Sequence, residues 1–213
     1  MKKHHFSVLF ALGIILLLLA YSCSDSKGPN KDYGQTSATE ENKPQLAGEE
    51  ATTLSPEELR TKGEHLVASV GCDDCHSPKK LGGPIPEVDK DLRLSGHPAN
   101  MKLAPYNQEA LKNGYVLANP HFTAWIGPWG ISYASNLTPD KETGIGNWQE
   151  EQFTRALKEG KYHGLENSRT LLPPMPWPNY KNFTDEELRA IFTYLKSIKP
   201  VKNVVPASEP KGA

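Results

Sequence analysis

Two cysteines and a histidine carry the most specific chemistry in this 213-residue chain, in the run Cys72-Asp73-Asp74-Cys75-His76. Thiols separated by two residues can form thioether bonds to the two vinyl groups of a haem, leaving the next residue's imidazole beneath the iron. A bare Cys-x-x-Cys pair could instead do dithiol–disulfide chemistry, but that motif follows a strand in an alternating pattern, and none precedes Cys72. A zinc site would need further ligands, and there is no second Cys-x-x-Cys and no His pair at ligand spacing. The expectation is one covalently bound haem c with one iron, held by Cys72 and Cys75 and ligated by His76.

The opposite axial position calls for a second ligand, and Met1, Met101 and Met175 are the available thioethers. Met1 leaves with an export signal. Met175 sits in Leu171-Leu172-Pro173-Pro174-Met175-Pro176-Trp177-Pro178, where the flanking prolines fix φ and remove backbone donors, making a stiff loop that can hold a weak ligand. Met101, after Gly96-His97-Pro98-Ala99-Asn100, lacks that rigidity, and a lone methionine is more often packing than ligand. Met175 is the expected sixth ligand, with Met101, a histidine or an open position as the alternatives.

Helices must position these groups. Ser55-Pro56-Glu57-Glu58 reads as a capping box with proline at the first helical position. Leu59, Gly63, Leu66, Val67 and Val70 then share one face, with Gly63 a point where another backbone can come close. A second capping box, Thr184-Asp185-Glu186-Glu187, opens the stripe Leu188, Ile191, Phe192, Leu195 and Ile198, stopped by Pro200; it is the natural docking partner. A third helix is expected between Asn147 and Gly160, capped by Asn147 with Glu150 three residues on, burying Phe153, Ala156 and Leu157. The Gly- and Pro-rich stretch between the first and third helices has room for a short helix at 108–112 and shows no strand alternation. Its length suggests more than a connection.

The N-terminus is different in kind. Met1-Lys2-Lys3 followed by an apolar run from Val8 to Ala20 reads as a secretory signal, the run being short for a membrane span. The end of that run, Leu19-Ala20-Tyr21-Ser22-Cys23, resembles the lipobox of bacterial lipoproteins, which implies lipidation at Cys23; Ala20 stands where that pattern usually has Leu. Ordinary signal-peptidase cleavage and retention as an anchor are the alternatives. Residues 24–53 are polar and almost free of apolar side chains, too poor in buriable surface to fold alone; as a coil they would span about 30 Å. The expected organisation is a signal peptide at 1–22, a tether at 23–54, the functional domain at 55–200 and a flexible tail at 201–213. The 24 basic and 25 acidic residues are interspersed and the formal net charge is −1, so nothing supports a nucleic-acid partner.

The order of capped helix, Cys-x-x-Cys-His, Asn136-Leu137-Thr138-Pro139-Asp140, Thr143-Gly144-Ile145-Gly146-Asn147-Trp148, Pro174-Met175-Pro176-Trp177 and final apolar helix resembles class I cytochromes c. More narrowly, it is similar to the cytochrome subunits of bacterial membrane-bound alcohol and gluconate dehydrogenases, over roughly residues 55–200. The resemblance implies an all-α class I cytochrome c fold, about three to five helices around one haem with a long Gly/Pro-rich insertion, His76 proximal and Met175 distal. The chain departs from those subunits in carrying one haem motif where they carry three.

Other residues admit two roles. His121 and the run from Phe122 to Gly130 could wall the haem or mark a partner surface, core packing being the favoured reading. Asn136 and Thr138 could donate to a haem propionate or the Met loop, or simply form the turn before Pro139. His65, His97 and His163 are expected to be exposed or hydrogen-bonded rather than ligands. A haem with protein on both axial positions binds no substrate, so the expected function is one-electron transfer between a donor and an acceptor protein. The expected place is the bacterial cell envelope, lipid-anchored and facing the periplasm or the exterior. The rivals are a haem enzyme or a gas or redox sensor with a displaceable sixth ligand; a non-catalytic subunit of a dehydrogenase or oxidase is compatible with the main reading.

Overall fold

A computed structural model describes residues 54–211; the signal peptide, Cys23 and nearly all of the tether expected from the sequence lie outside the described residues. The helical segments are α1 (Pro56–Ser69), α2 (Cys72–His76), α3 (Gln108–Lys112), α4 (Glu150–Lys158), α5 (Trp177–Tyr180) and α6 (Asp185–Ser197). Short strands are interleaved with them: β1 (Lys79–Lys80), β2 (Glu87–Val88), β3 (Leu117–Ala118), β4 (Ala124–Gly127), β5 (Gly130–Tyr133) and β6 (Glu209–Pro210). β1 and β2 form a two-stranded sheet, and β3-β4-β5-β6 a four-stranded antiparallel one.

Both capping boxes close as read. The Ser55 hydroxyl accepts from the Glu58 N–H and the Glu58 carboxylate accepts from Ser55 N–H; Thr184 and Glu187 repeat the arrangement. Each satisfies donors that a helix start otherwise leaves orphaned. α1 and α6 pack face to face at Gly63, where an added Cβ would lie 1.9 Å from the Ala190 carbonyl oxygen. Only a residue without a side chain allows that approach. Around the crossing, Val67, Leu188, Ile191, Tyr194 and Leu195 join Leu94, Ile145 and Phe153 in one buried cluster, the apolar burial that drives the domain together. Cys72 packs against it, so the motif helix is seated on the core.

Three expectations need correcting. The fold is not purely helical: most of the strands lie within residues 77–135, and at two to four residues each they are too short to display a period-two pattern. α4 starts at Glu150 behind Gln149, which makes no side-chain cap; the Asn147 amide donates instead to the Lys141 carbonyl at 2.8 Å, within the preceding turn. The segment after Pro200 is built into the fold rather than trailing as a tail. Asn203 donates through Nδ2 to the carbonyls of Ser95 (2.7 Å) and His97 (2.9 Å) and accepts from Ala99 N–H, while Ile131 and Glu209 are paired in the sheet.

Candidate haem site

α1 ends at Ser69 with Val70 as its C-cap, and Gly71, in the left-handed region at φ 74°, turns the chain directly into α2. Within a single helical turn, positions three and four apart share a face, so Cys72, Cys75 and His76 are presented together. His76 is buried, and its Nδ1 lies 2.7 Å from the Ser135 carbonyl oxygen. A carbonyl can only accept, so Nδ1 carries the proton and Nε2 keeps its lone pair. Burial pushes the His76 pKa below the ordinary histidine value, partly opposed by that hydrogen bond, and holds the ring neutral, as a metal ligand requires. A carbonyl accepting from Nδ1 is the device that fixes the tautomer and orientation of a ligating imidazole.

The thiols are conditioned differently from those of a dithiol enzyme. Burial, reinforced by Asp73, pushes Cys72 up to about 12, and burial raises Cys75 as well. A redox-active Cys-x-x-Cys needs the reverse, a lowered pKa that exposes thiolate at neutral pH. Cys72 and Cys75 are unpaired with each other. Two sulfurs and one neutral imidazole on one face of α2 are the donor set a covalent haem takes, and the residues fit it.

α2 is anchored by residues that the sequence reading did not single out. The Asp73 carboxylate accepts from Arg93 Nη2 at 2.7 Å and Nε at 3.0 Å and from the Ser77 hydroxyl at 2.6 Å. Arg93 Nη1 in turn donates to the Tyr194 hydroxyl on α6 at 2.6 Å. Burial pushes the Asp73 carboxyl up, but the bonds from Arg93 and Ser77 outweigh it and leave its pKa lowered. Lys79 Nζ caps the far end of the helix, donating to the carbonyls of Asp73 (2.8 Å), Asp74 (3.1 Å) and Ser77. The doubled aspartate inside the Cys-x-x-Cys was the available signal; nothing local marked Arg93 as its partner.

The Met175 arm follows α4 in the chain. Gly160, at φ 66°, ends that helix, and the Trp177 ring lies so close that a Cβ on Gly160 would sit 2.4 Å from it. Leu171 N–H donates to the Gly160 carbonyl at 2.6 Å, and Met175 N–H closes a turn onto the Leu172 carbonyl at 3.3 Å. Farther along, the Tyr180 hydroxyl donates to the Val70 carbonyl at 3.4 Å, just before the motif. Burial and then the nearby Cys72 and Cys75 push its pKa up to about 12. The chain on either side of Met175 is thus pinned, and Tyr180 brings its downstream end beside the cysteines; Met175 itself is half-buried.

Several of the residues with two possible roles are held by contacts within the protein, while Phe122 is exposed and Trp125 and Trp129 are half-buried. His97 is fully buried with both ring nitrogens engaged, Nδ1 with the Thr123 hydroxyl and Nε2 with the Met101 carbonyl. Met101 sulfur receives the Asn119 amide. His121 accepts from Lys79 N–H, and His65 and His163 are exposed. Ala124 and Ile126 in the tryptophan-bearing run are buried in β4. Asn136 accepts from Thr138 through Oδ1 and donates through Nδ2 to Thr143 and to the Val201 carbonyl, so the polar groups of this turn are spent on the turn and on the C-terminal segment.

No protein-family model matches the chain. Among curated proteins, it is 39% identical over 144 residues to the gluconate 2-dehydrogenase cytochrome c subunit of Pantoea cypripedii, covering 67% of this chain and 24% of that protein. It is 34% identical over 151 residues to the fructose dehydrogenase cytochrome subunit of Gluconobacter japonicus, covering 70% of this chain and 23% of that one. A 75-residue match at 39% identity, 35% of this chain and 15% of the relative, is to the cytochrome c subunit of the quinone-dependent alcohol dehydrogenase of Gluconobacter oxydans. The chain spans about a quarter or less of the length of these relatives. It is similar to the cytochrome c subunits of bacterial dehydrogenases.

Proposed function

We propose that this chain is a one-electron carrier of the bacterial envelope, with a single covalent haem c attached through Cys72 and Cys75 and axially ligated by His76 and Met175 in a class I cytochrome c fold. The observation that carries the reading is the His76 ring, buried on the same helical face as two cysteines and locked by the Ser135 carbonyl so that Nε2 is left as the free donor. When bound, haem supplies a one-electron iron couple, and protein ligation on both sides leaves no position for a substrate. Asp73, Arg93 and Tyr194 keep the attachment helix fixed to α6, so a change of charge at the site asks for little rearrangement around it. The relatives' names, cytochrome subunits of gluconate, fructose and alcohol dehydrogenases, support a non-catalytic role that takes an electron from one redox protein and passes it to another. Lipidation at Cys23, with residues 24–53 as the tether, would hold the domain at the membrane facing the periplasm or the exterior.

The test is an absorption spectrum of the purified full-length protein with carbon monoxide added to the reduced form, alongside its intact mass. The expected result is one covalent haem, a far-red thioether-to-ferric-iron band that disappears in Met175→Ala, and no carbon monoxide shift in the wild type. Ready uptake of carbon monoxide would replace the carrier by an enzyme or sensor with a displaceable ligand. Absence of haem would return Cys72 and Cys75 to thiol chemistry.

A further inference from the structure

Strand β5 touches both arms of the candidate site. Two residues separate Ser132, within the strand, from Ser135, just beyond its end. The Ser135 carbonyl receives His76 Nδ1 at 2.7 Å, whereas the Ser132 hydroxyl donates to the Pro173 carbonyl at 2.6 Å. Pro173 lies in the turn that Met175 N–H closes onto Leu172. Ser132 is buried, and the same hydroxyl accepts from Trp129 Nε1 at 3.3 Å, which aims its proton at Pro173. The strand is held on both flanks: Ser132 is paired with Trp125 on β4 and Ile131 with Glu209 on β6.

We infer that Ser132 is a positioning residue for the Met175 arm, and that β5 joins the two axial arms into one rigid piece through Ser132 to Pro173 and Ser135 to His76. This rests on Met175 being the sixth ligand. A thioether is a weak ligand and stays on iron because its loop is held at the right distance; freeing the Pro173 carbonyl lets the loop withdraw without disturbing His76. The strut also gives residues 77–135 a role in the site, since the sheet they build is what carries β5.

The experiment is a titration of the oxidised, haem-loaded full-length protein with imidazole, following the far-red thioether band and the reduction potential. Ser132→Ala is expected to bind imidazole about tenfold more tightly, the ratio that the net contribution of one hydrogen bond corresponds to. Ser132→Thr, which restores a hydroxyl, returns the affinity toward wild type. Trp129→Phe removes the bond to Ser132 but leaves the one to Pro173, and stays within about threefold of wild type, the change that less than half of one hydrogen bond's contribution gives. Equal imidazole affinity and potential in wild type and Ser132→Ala, with the thioether band present in both, overturns the strut and leaves the Met175 assignment standing. A wild type without the band, matched by Met175→Ala, removes the ligand assignment and the strut with it. Tighter imidazole binding in Ser132→Ala that Ser132→Thr does not reverse assigns the effect to packing and also overturns the proposal.

Discussion

Replacing Arg93 by Met keeps most of the side-chain stem and removes every bond its guanidinium makes. Those bonds are the fork onto Asp73, at 2.7 and 3.0 Å, and the donation to Tyr194 at 2.6 Å. Hydrogen bonds to charged groups contribute about 1.5–3 kcal/mol each when shielded. Here the two side chains retain 32% and 20% of their exposure, and solvent screening reduces the sum to about 2–3 kcal/mol. In urea, where stability falls by about 1–3 kcal/mol per molar, the unfolding midpoint of the haem-loaded protein should drop by about 1 M. Asp73→Asn should cost a similar amount and the double variant less than the sum, because the two act through one contact. The pH dependence has a definite sign. The folded-state pKa of Asp73 is depressed, so the contribution is complete above the unfolded carboxylate value of about 3.9 and fades as pH falls through the lower folded value. The gap between wild type and Arg93→Met should therefore narrow in acid. Equal midpoints at neutral pH, or a gap that persists unchanged below that range, would refute the anchoring role of the pair.

Gly63→Ala should destabilise by about 2 kcal/mol despite a gain of about 1 kcal/mol in helix propensity, because the added Cβ meets backbone that cannot rotate away and α1 and α6 must part; thermal melting checks it, and a stabilised variant would contradict the close crossing. Asn203→Ala leaves the carbonyls of Ser95 and His97 and the amide of Ala99 without their partner, at a cost of about 1–3 kcal/mol. Limited proteolysis should then cut between 200 and 211 faster than in wild type, and equal cleavage rates would show that the segment is held elsewhere.

The parts of this protein legible from the sequence are those whose physics is local. The capping boxes at Ser55 and Thr184 close between residues three apart, so the starts of α1 and α6 could be read directly. The 108–112 helix is capped by Asn107 within its own first turn, and the Cys-x-x-Cys-His motif is a local spacing that needs no fold to be recognised. Gly63 was visible as a gap in an apolar stripe because helical periodicity is itself local. What only the tertiary structure decided depends on partners far apart in the chain. Strands of two to four residues form no readable alternation, and β6 finds β5 across a long sequence interval, Glu209 against Ile131. The segment after Pro200 looked loose because an Asn side chain, not an apolar stripe, holds it, on partners 104 to 108 residues away. Arg93 with Asp73, Ser135 with His76 and Ser132 with Pro173 are likewise long-range pairs, two of them made to backbone carbonyls that every residue type carries. A carbonyl leaves no mark in a sequence, so the groups that orient the site became visible only when the chain had folded around them.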